Sequence, residues 1–267
     1  MSALRSAALE LRAAGRVAVR GGGGLRERLG ALDERLVFVV GCPRSGTTFL
    51  GRSLGSLPGF VDLGEVATLK AAIPGLAGAG EGAAPQIRRI LDRTRRYGLV
   101  GARRAVEQTP ETVFVAAAAL RAFPEARVVH LVRDGRDVVC SLLERGWLSA
   151  TRTGADDAGL PYGPDARFWV EPERRDEFRR ASDARRAAWA WRRYVTAGRA
   201  LGEAAHEVRY ERLAAEPDAV AAELAAHLDA AEAPLAAALR GAHGESVGRY
   251  ATDLTPEQLG DVEAEAG

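Results

Sequence analysis

The sequence predicts a three-layer α/β fold, with a central parallel sheet and helices on both of its faces. Three observations carry this. Leu36 to Val40 is a short, largely β-branched apolar run, which reads as a strand buried on both sides. Arg127 to Val132 is a second such run, and it leads straight into a polar turn and a helix. Strand and helix patterns alternate along the rest of the chain, and no internal repeat interrupts them.

The first strand leads into Gly41-Cys42-Pro43-Arg44-Ser45-Gly46-Thr47-Thr48. Gly41 and Gly46 let the backbone turn tightly and bring N–H groups toward an anion. Pro43 stiffens the loop by fixing its own φ. Ser45, Thr47 and Thr48 add hydroxyls where the next helix is positive. Phe49, Leu50, Leu54 and Leu57 then recur at helical spacing and give that helix one apolar face. The spacing is that of a nucleoside-triphosphate loop, G-x-x-x-x-G-K-[ST], except that Thr47 stands where the lysine belongs. The only cation in the turn is Arg44.

These residues resemble the sulfotransferases that use 3′-phosphoadenosine 5′-phosphosulfate (PAPS). Their 5′-phosphosulfate loop reads Pro-Lys/Arg-Ser-Gly-Thr-Thr, and here Pro43 to Thr48 spell Pro-Arg-Ser-Gly-Thr-Thr. That family has a P-loop-type α/β fold without the Mg-dependent lysine. Leu50, Leu54, Pro58 and Gly64-Glu65 look most like the tyrosylprotein sulfotransferases and similar bacterial enzymes. The resemblance runs in scattered motifs from about residue 36 to 260.

The resemblance implies a site. Arg44, Ser45, Gly46, Thr47 and Thr48 would hold the 5′-phosphosulfate. In Arg133-Asp134-Gly135-Arg136-Asp137-Val138-Val139-Cys140-Ser141, Arg133 and Ser141 match the pair that takes the 3′-phosphate. An arginine at the carboxyl edge of a parallel sheet can form a fork-shaped pair with a phosphate. Ser246-Val247-Gly248-Arg249-Tyr250 resembles the late loop that closes over the 3′-phosphate, with Arg249 as its basic residue.

Transfer to a hydroxyl needs a base for the acceptor's proton and cations for the moving charge. Glu65 stands at the distance from Arg44 where tyrosylprotein sulfotransferases keep theirs. Glu107 ends the next strand, as in heparan-type relatives, and His130 is a third choice. Many relatives place a lysine beside Glu107, where this chain has Gln108, so Arg44 is left to carry most of the charge. The expected reaction moves a sulfuryl group from PAPS to an acceptor hydroxyl or amine and releases 3′-phosphoadenosine 5′-phosphate (PAP), with no metal. The alternatives are a small-molecule kinase using ATP and Mg²⁺, or a non-catalytic nucleotide-binding protein. Thr47 and the lack of a suitable aspartate at a strand end oppose the first. The full set of Arg44, Arg133 and Ser141 opposes the second.

Length and composition set bounds on this. The chain has 267 residues, enough for one full α/β core, and 47% of them are hydrophobic. A net charge of +1 gives no support for nucleic acid or a membrane surface as a bulk partner. Lys70 is the only lysine, which reads as a coding bias toward arginine. Cys42 and Cys140 are the only cysteines, so no disulfide framework exists and a reducing cytoplasm is expected. The four histidines are scattered, and no cluster has metal-ligand spacing.

In order, residues 1–35 are expected to be a helical leader with a hinge at Gly21 to Gly24, and 36–267 the sulfotransferase domain. The leader reads either as a partner- or membrane-surface helix or as a frayed tail. It lacks the continuous apolar core of a signal peptide or a membrane span. Phe60 to Leu63 reads as a short strand, 74–85 as a flexible loop and Ile87 to Tyr97 as a helix. Ala105 to Thr109 reads as a strand broken by Pro110, and Thr112 to Ala122 as a helix. A further helix is expected at Val138 to Leu143, with Asp137 as its N-cap. Residues 146–176, carrying Trp147, Tyr162, Phe168 and Trp169, read either as a lid or acceptor wall or as a packed surface excursion. Helices at Ser182 to Leu201 and Pro217 to Leu228 flank a strand beginning at Glu207. A last helix opens at Thr255-Pro256.

Overall fold

The computed structural model describes residues 3–20, 24–163 and 170–266. Five strands form one parallel sheet: β1 (Val37–Gly41), β2 (Phe60–Gly64), β3 (Arg104–Glu107), β4 (Arg127–Val132) and β5 (Ala205–Arg209). Their order is β2-β3-β1-β4-β5. Val40 of β1 lies opposite His130 of β4, and Phe38 lies opposite Glu107 of β3. The chain runs out to β2 after β1, returns through β3, then crosses to β4. The carboxyl ends of β1, β3 and β4 therefore meet where the order reverses, which is where open parallel sheets bind ligands.

Fourteen α-helices are seen among the described residues, besides short 3₁₀ turns. They are α1 (Ala3–Arg20), α2 (Leu25–Arg28), α3 (Thr47–Gly55), α4 (Ala67–Leu76), α5 (Ala83–Tyr97), α6 (Ala116–Ala122) and α7 (Gly135–Arg145). Then come α8 (Arg175–Arg180), α9 (Asp183–Arg199), α10 (Tyr210–Ala215), α11 (Pro217–Leu228), α12 (Glu232–Leu239), α13 (Tyr250–Asp253) and α14 (Pro256–Ala266).

Strands β1 to β4 are buried on both faces, successive side chains pointing opposite ways, while the edge strand β5 is largely half-buried or exposed. Phe38, Val40 and Val128 face Val17 of α1, Leu69 and Ile73 of α4, Ile87 and Leu91 of α5, and Trp189 and Tyr194 of α9. Val37, Val39, Val129 and Leu131 face Leu50 and Leu54 of α3, Leu213 of α10, Leu224 and Leu228 of α11, and Leu235 of α12. No described helix is long and apolar enough to cross a membrane.

Several local expectations are corrected. The loop expected over 74–85 is shorter, running only between Leu76 and Ala83 and including a 3₁₀ turn at Gly80–Gly82. Pro74 sits in the last turns of α4, and α5 begins at Ala83. Leu69, Ile73 and Leu76 are buried in the core, and that packing outweighs the hydrogen bond Pro74 cannot donate. α7 starts at Gly135 and is capped by Asp134, whose carboxylate accepts from Arg136 N at 2.9 Å. Asp137 is thereby inside the first turn and is not the cap. The predicted helix over 112–122 begins as a 3₁₀ turn, Pro110–Val115, before α6. α12 was not anticipated.

α1 lies against α4, α5 and β2, with Leu9, Ala14 and Val17 buried. Gly21 to Gly23 of the expected hinge lie outside the described residues. In the expected lid, Trp147 stacks on Tyr162 at 6.2 Å, and Ala155 bridges Pro161. Phe168 and Trp169 lie outside the described residues.

Candidate active site

The turn after β1 is shaped by close approaches. A Cβ on Gly41 would sit 2.3 Å from Leu131 O, so only glycine lets β1 end beside β4. A Cβ on Gly46 would meet the Tyr210 ring at 2.7 Å, and its φ of 98° is left-handed. Arg44 adopts φ 75°, a conformation that costs a non-glycine residue about 1–3 kcal/mol. Gly46 leads α3 without any side-chain cap, so the helix presents its N-terminal amides uncovered by a cap. The Ser45 hydroxyl is buried without a hydrogen-bond partner. Thr47 is buried and Thr48 exposed.

The structure brings the turn and the Arg133 segment together. Arg44 Nε donates to Ser141 Oγ at 2.9 Å, across 97 residues of chain. Arg133 Nη1 donates to Arg44 O at 3.4 Å, and its Nη2 donates to Ser246 O. The guanidinium lies 5.0 Å over the Tyr210 ring. Arg133 is buried, and its Nε has no partner. Burial, with Arg145, Arg133 and Arg249 nearby, pushes the Arg44 pKa below its ordinary value, against a smaller opposing pull from Glu144. A buried corner where cations crowd one another favours an anion.

Arg249 lies near enough to Arg44 to help lower its pKa, and the Arg249 side chain is engaged in ion pairs. Its guanidinium pairs with Glu144 and, at 2.7 Å, with Asp253. The backbone around it is what closes on the corner. Asp137 Oδ2 accepts from Gly248 N at 2.8 Å and Oδ1 from Tyr250 N at 3.1 Å. Asp137 is fully buried and lies 3.9 Å from Arg133. It ties the late loop to α7, a role its sequence position between Arg136 and Val138 did not reveal.

The two glutamates have unlike settings. Glu65 follows Gly64 at the end of β2 and lines a cavity of about 310 Å³ with Pro43, Lys70, Glu111, Trp147 and Tyr162. Its side chain is 38% exposed, and Oε2 accepts from Lys70 Nζ at 2.8 Å. Glu107 is fully buried. Oε1 accepts from Thr109 N at 2.7 Å and Oε2 from Thr112 Oγ1 at 3.0 Å. Burial raises its pKa to about 7 despite those bonds. His130 is buried too, with Nδ1 3.6 Å from Glu207 and Gly198 of α9 against its ring. Burial lowers its pKa to about 4.

Sequence reasoning missed Lys70. Its ammonium sits 2.8 Å from Glu65, 3.3 Å from Asp156 and 3.8 Å from Glu111. Burial pulls its pKa down, but Glu111, Glu65 and Asp156 outweigh it, so the pKa is raised and the group stays charged. The signal was available: in a chain that otherwise uses arginine, the one lysine marks a place for a compact cation.

A family model described as "Sulfotransferase family" matches residues 82–234. That span holds Glu107, Arg133 and Ser141 but not the turn or Glu65. No curated protein matches. Among solved structures, a sulfotransferase domain from the curacin biosynthetic pathway is similar with a TM-score of 0.56 and 14% identity, covering 86% of this chain and 96% of that one. The sulfotransferase domain of the Synechococcus PCC 7002 olefin synthase gives 0.51 and 15%, covering 89% and 96%. At such identities the likeness speaks for the fold.

Proposed function

For a chain that belongs to the sulfotransferase family, we propose that the donor is PAPS, that the acceptor is a hydroxyl or amine, and that PAP is the product. One observation carries the reading: a capless helix N-terminus, a partnerless buried Ser45 hydroxyl, the half-buried Arg44 and the buried Arg133 converge on one corner. Those groups fit a ligand with two separated phosphate-type ends. Ser45, Thr47, Thr48 and the first amides of α3 would hold the 5′ end. Arg133 and Ser141 would hold the 3′-phosphate, with the loop at 246–250 kept over it by Asp137. Arg44, hydrogen-bonded to Ser141, joins the two halves. PAPS supplies an activated sulfuryl group on a good leaving group, so the proposal includes no metal.

The cavity at Glu65 opens beside Pro43 of the turn and takes the acceptor in this reading. Lys70 holds Glu65 Oε2 in a 2.8 Å ion pair and so orients the carboxylate. Oε1 is then the oxygen that accepts the acceptor's proton. Trp147 and Tyr162 form an aromatic wall that excludes water, which is the role proposed for the 146–176 segment. Glu107 has both oxygens engaged inside the protein and is assigned to structure.

The test is PAP release from PAPS that requires an added alcohol or phenol. Glu65→Gln should lower single-turnover transfer by about 10²–10⁴-fold, the usual cost of losing a general base. PAP affinity should stay the same, because Glu65 does not belong to the phosphate corner. Normal transfer by Glu65→Gln, with Glu107→Gln folded but inactive, would reverse the assignment.

A further inference from the structure

α1 borders a second cavity of about 350 Å³, lined by Leu9, Arg12, Gly15, Arg16, Ala67 and Asp157. Asp157 also lines the cavity that holds Glu65. Ala67 opens α4, two residues past Glu65, and Lys70 of the same helix reaches the Glu65 cavity. The two spaces are therefore neighbours across one residue. Leu9 and Ala67 of the second cavity's lining belong to a small apolar cluster with Ala158 and Leu160, beside Ala71. Its charged lining residues are Arg12, Arg16 and Asp157. Arg16 and Asp157 stand there 4.0 Å apart, with side chains 45% and 56% exposed. Exposed pairs of this kind hold little energy and open readily.

Gly15 accounts for the open space. It lies within α1, where glycine costs a helix about 0.5–1 kcal/mol relative to alanine. No close approach requires it, since a Cβ there would meet nothing within 4 Å. What its missing side chain does is leave the groove empty.

We infer that the groove along α1 receives an apolar arm of the acceptor, so that the acceptor is an amphiphilic alcohol or phenol whose hydroxyl enters the Glu65 cavity. The inference rests on reading that cavity as the acceptor site. Selectivity then comes from α1 and α4 together, and the N-terminal helix is part of the binding site.

The probes are 4-alkylphenols from methyl to octyl, titrated by calorimetry into the full chain with and without PAP, with PAP titrated separately. Burial of a methylene is worth about 0.8 kcal/mol, so the association constant should rise about fourfold per carbon until the groove is filled. Gly15→Leu should flatten the series beyond the short chains and leave 4-methylphenol and PAP binding unchanged. Gly15→Ala, which adds a helix-favouring methyl, should keep the rise. A flat series in the wild type overturns the inference, and so does a rise that Gly15→Leu leaves intact. A flat series together with a Gly15-dependent change in oligomeric state would assign the groove to a second copy and also overturn it. A rising series that Gly15→Leu blocks, in a chain that does not bind PAP, would sink the donor reading and uphold the groove.

Discussion

Glu107→Gln separates a buried structural carboxylate from a catalytic one, and its effect can be worked from the fold. Burial raises the Glu107 pKa from 4.5 to about 7. The folded protein therefore holds this proton more tightly than the unfolded chain does. Between about pH 4.5 and 7 the native state binds more protons, and stability falls as pH rises through that window. A shift of that size corresponds to roughly 3 kcal/mol lost by pH 8. In a chain this long each kcal/mol moves Tm by about 2–4 °C, so the loss is roughly 10 °C.

His130 works in the opposite sense. Its folded pKa is lowered to about 4, so the unfolded state takes up the proton first, and stability rises with pH up to about 6.5. In the wild type the two slopes largely cancel. Glutamine keeps the carbonyl acceptor for Thr109 N, and the Thr112 hydroxyl can rotate to accept from its amide. The variant removes only the titration. The assay is Tm for wild type and Glu107→Gln from pH 5 to 8 at constant salt. The difference between them should be small at pH 5 and grow in the variant's favour toward pH 8. A difference that does not change with pH would refute the reasoning, because Glu107 would then titrate alike in both states.

The other predictions concern the corner. Arg133→Ala should weaken PAP binding by about 2–5 kcal/mol, the cost of truncating one partner of a buried charge pair. Ser141→Ala should cost about 1.5–3 kcal/mol, and adenosine 5′-phosphosulfate, which lacks the 3′-phosphate, should respond little to either change. Equal losses for both ligands would make these residues supports of the fold. Asp137→Ala frees the amides of Gly248 and Tyr250, so limited proteolysis should cut faster within 246–250 and PAP affinity should fall. An unchanged cleavage pattern would mean the loop is held by other contacts.

What the sequence made legible was local. The apolar runs of β1 and β4 stand out because parallel strands are buried on both faces. α11 begins at Pro217 and ends at Leu228, as its proline and apolar spacing require. The turn from Gly41 to Thr48 was legible because its glycines answer to close approaches that no other residue tolerates. The rest depends on distant partners. Arg44 meets Ser141 across 97 residues, and no periodicity reports such a contact. Asp134 and Asp137 are both credible caps from sequence, and only the placement of Gly248 and Tyr250 shows why the second is buried. Arg249 stands in a basic loop motif, yet Glu144 and Asp253 hold its side chain. Pro74 reads as a break until the burial of Ile73 and Leu76 is seen.

The central claim is that the corner formed by the turn, Arg133 and Ser141 takes a 3′-phosphorylated adenine nucleotide. The most direct measurement is thermal unfolding of the full chain with PAP in the presence of EDTA, beside ATP with Mg²⁺. A ligand that binds only the native state stabilises it by about 2.7 kcal/mol at one hundred times its Kd. The account predicts a rise in Tm with PAP alone, and a much smaller one with Mg-ATP. A larger shift with Mg-ATP, or none with PAP, would contradict it.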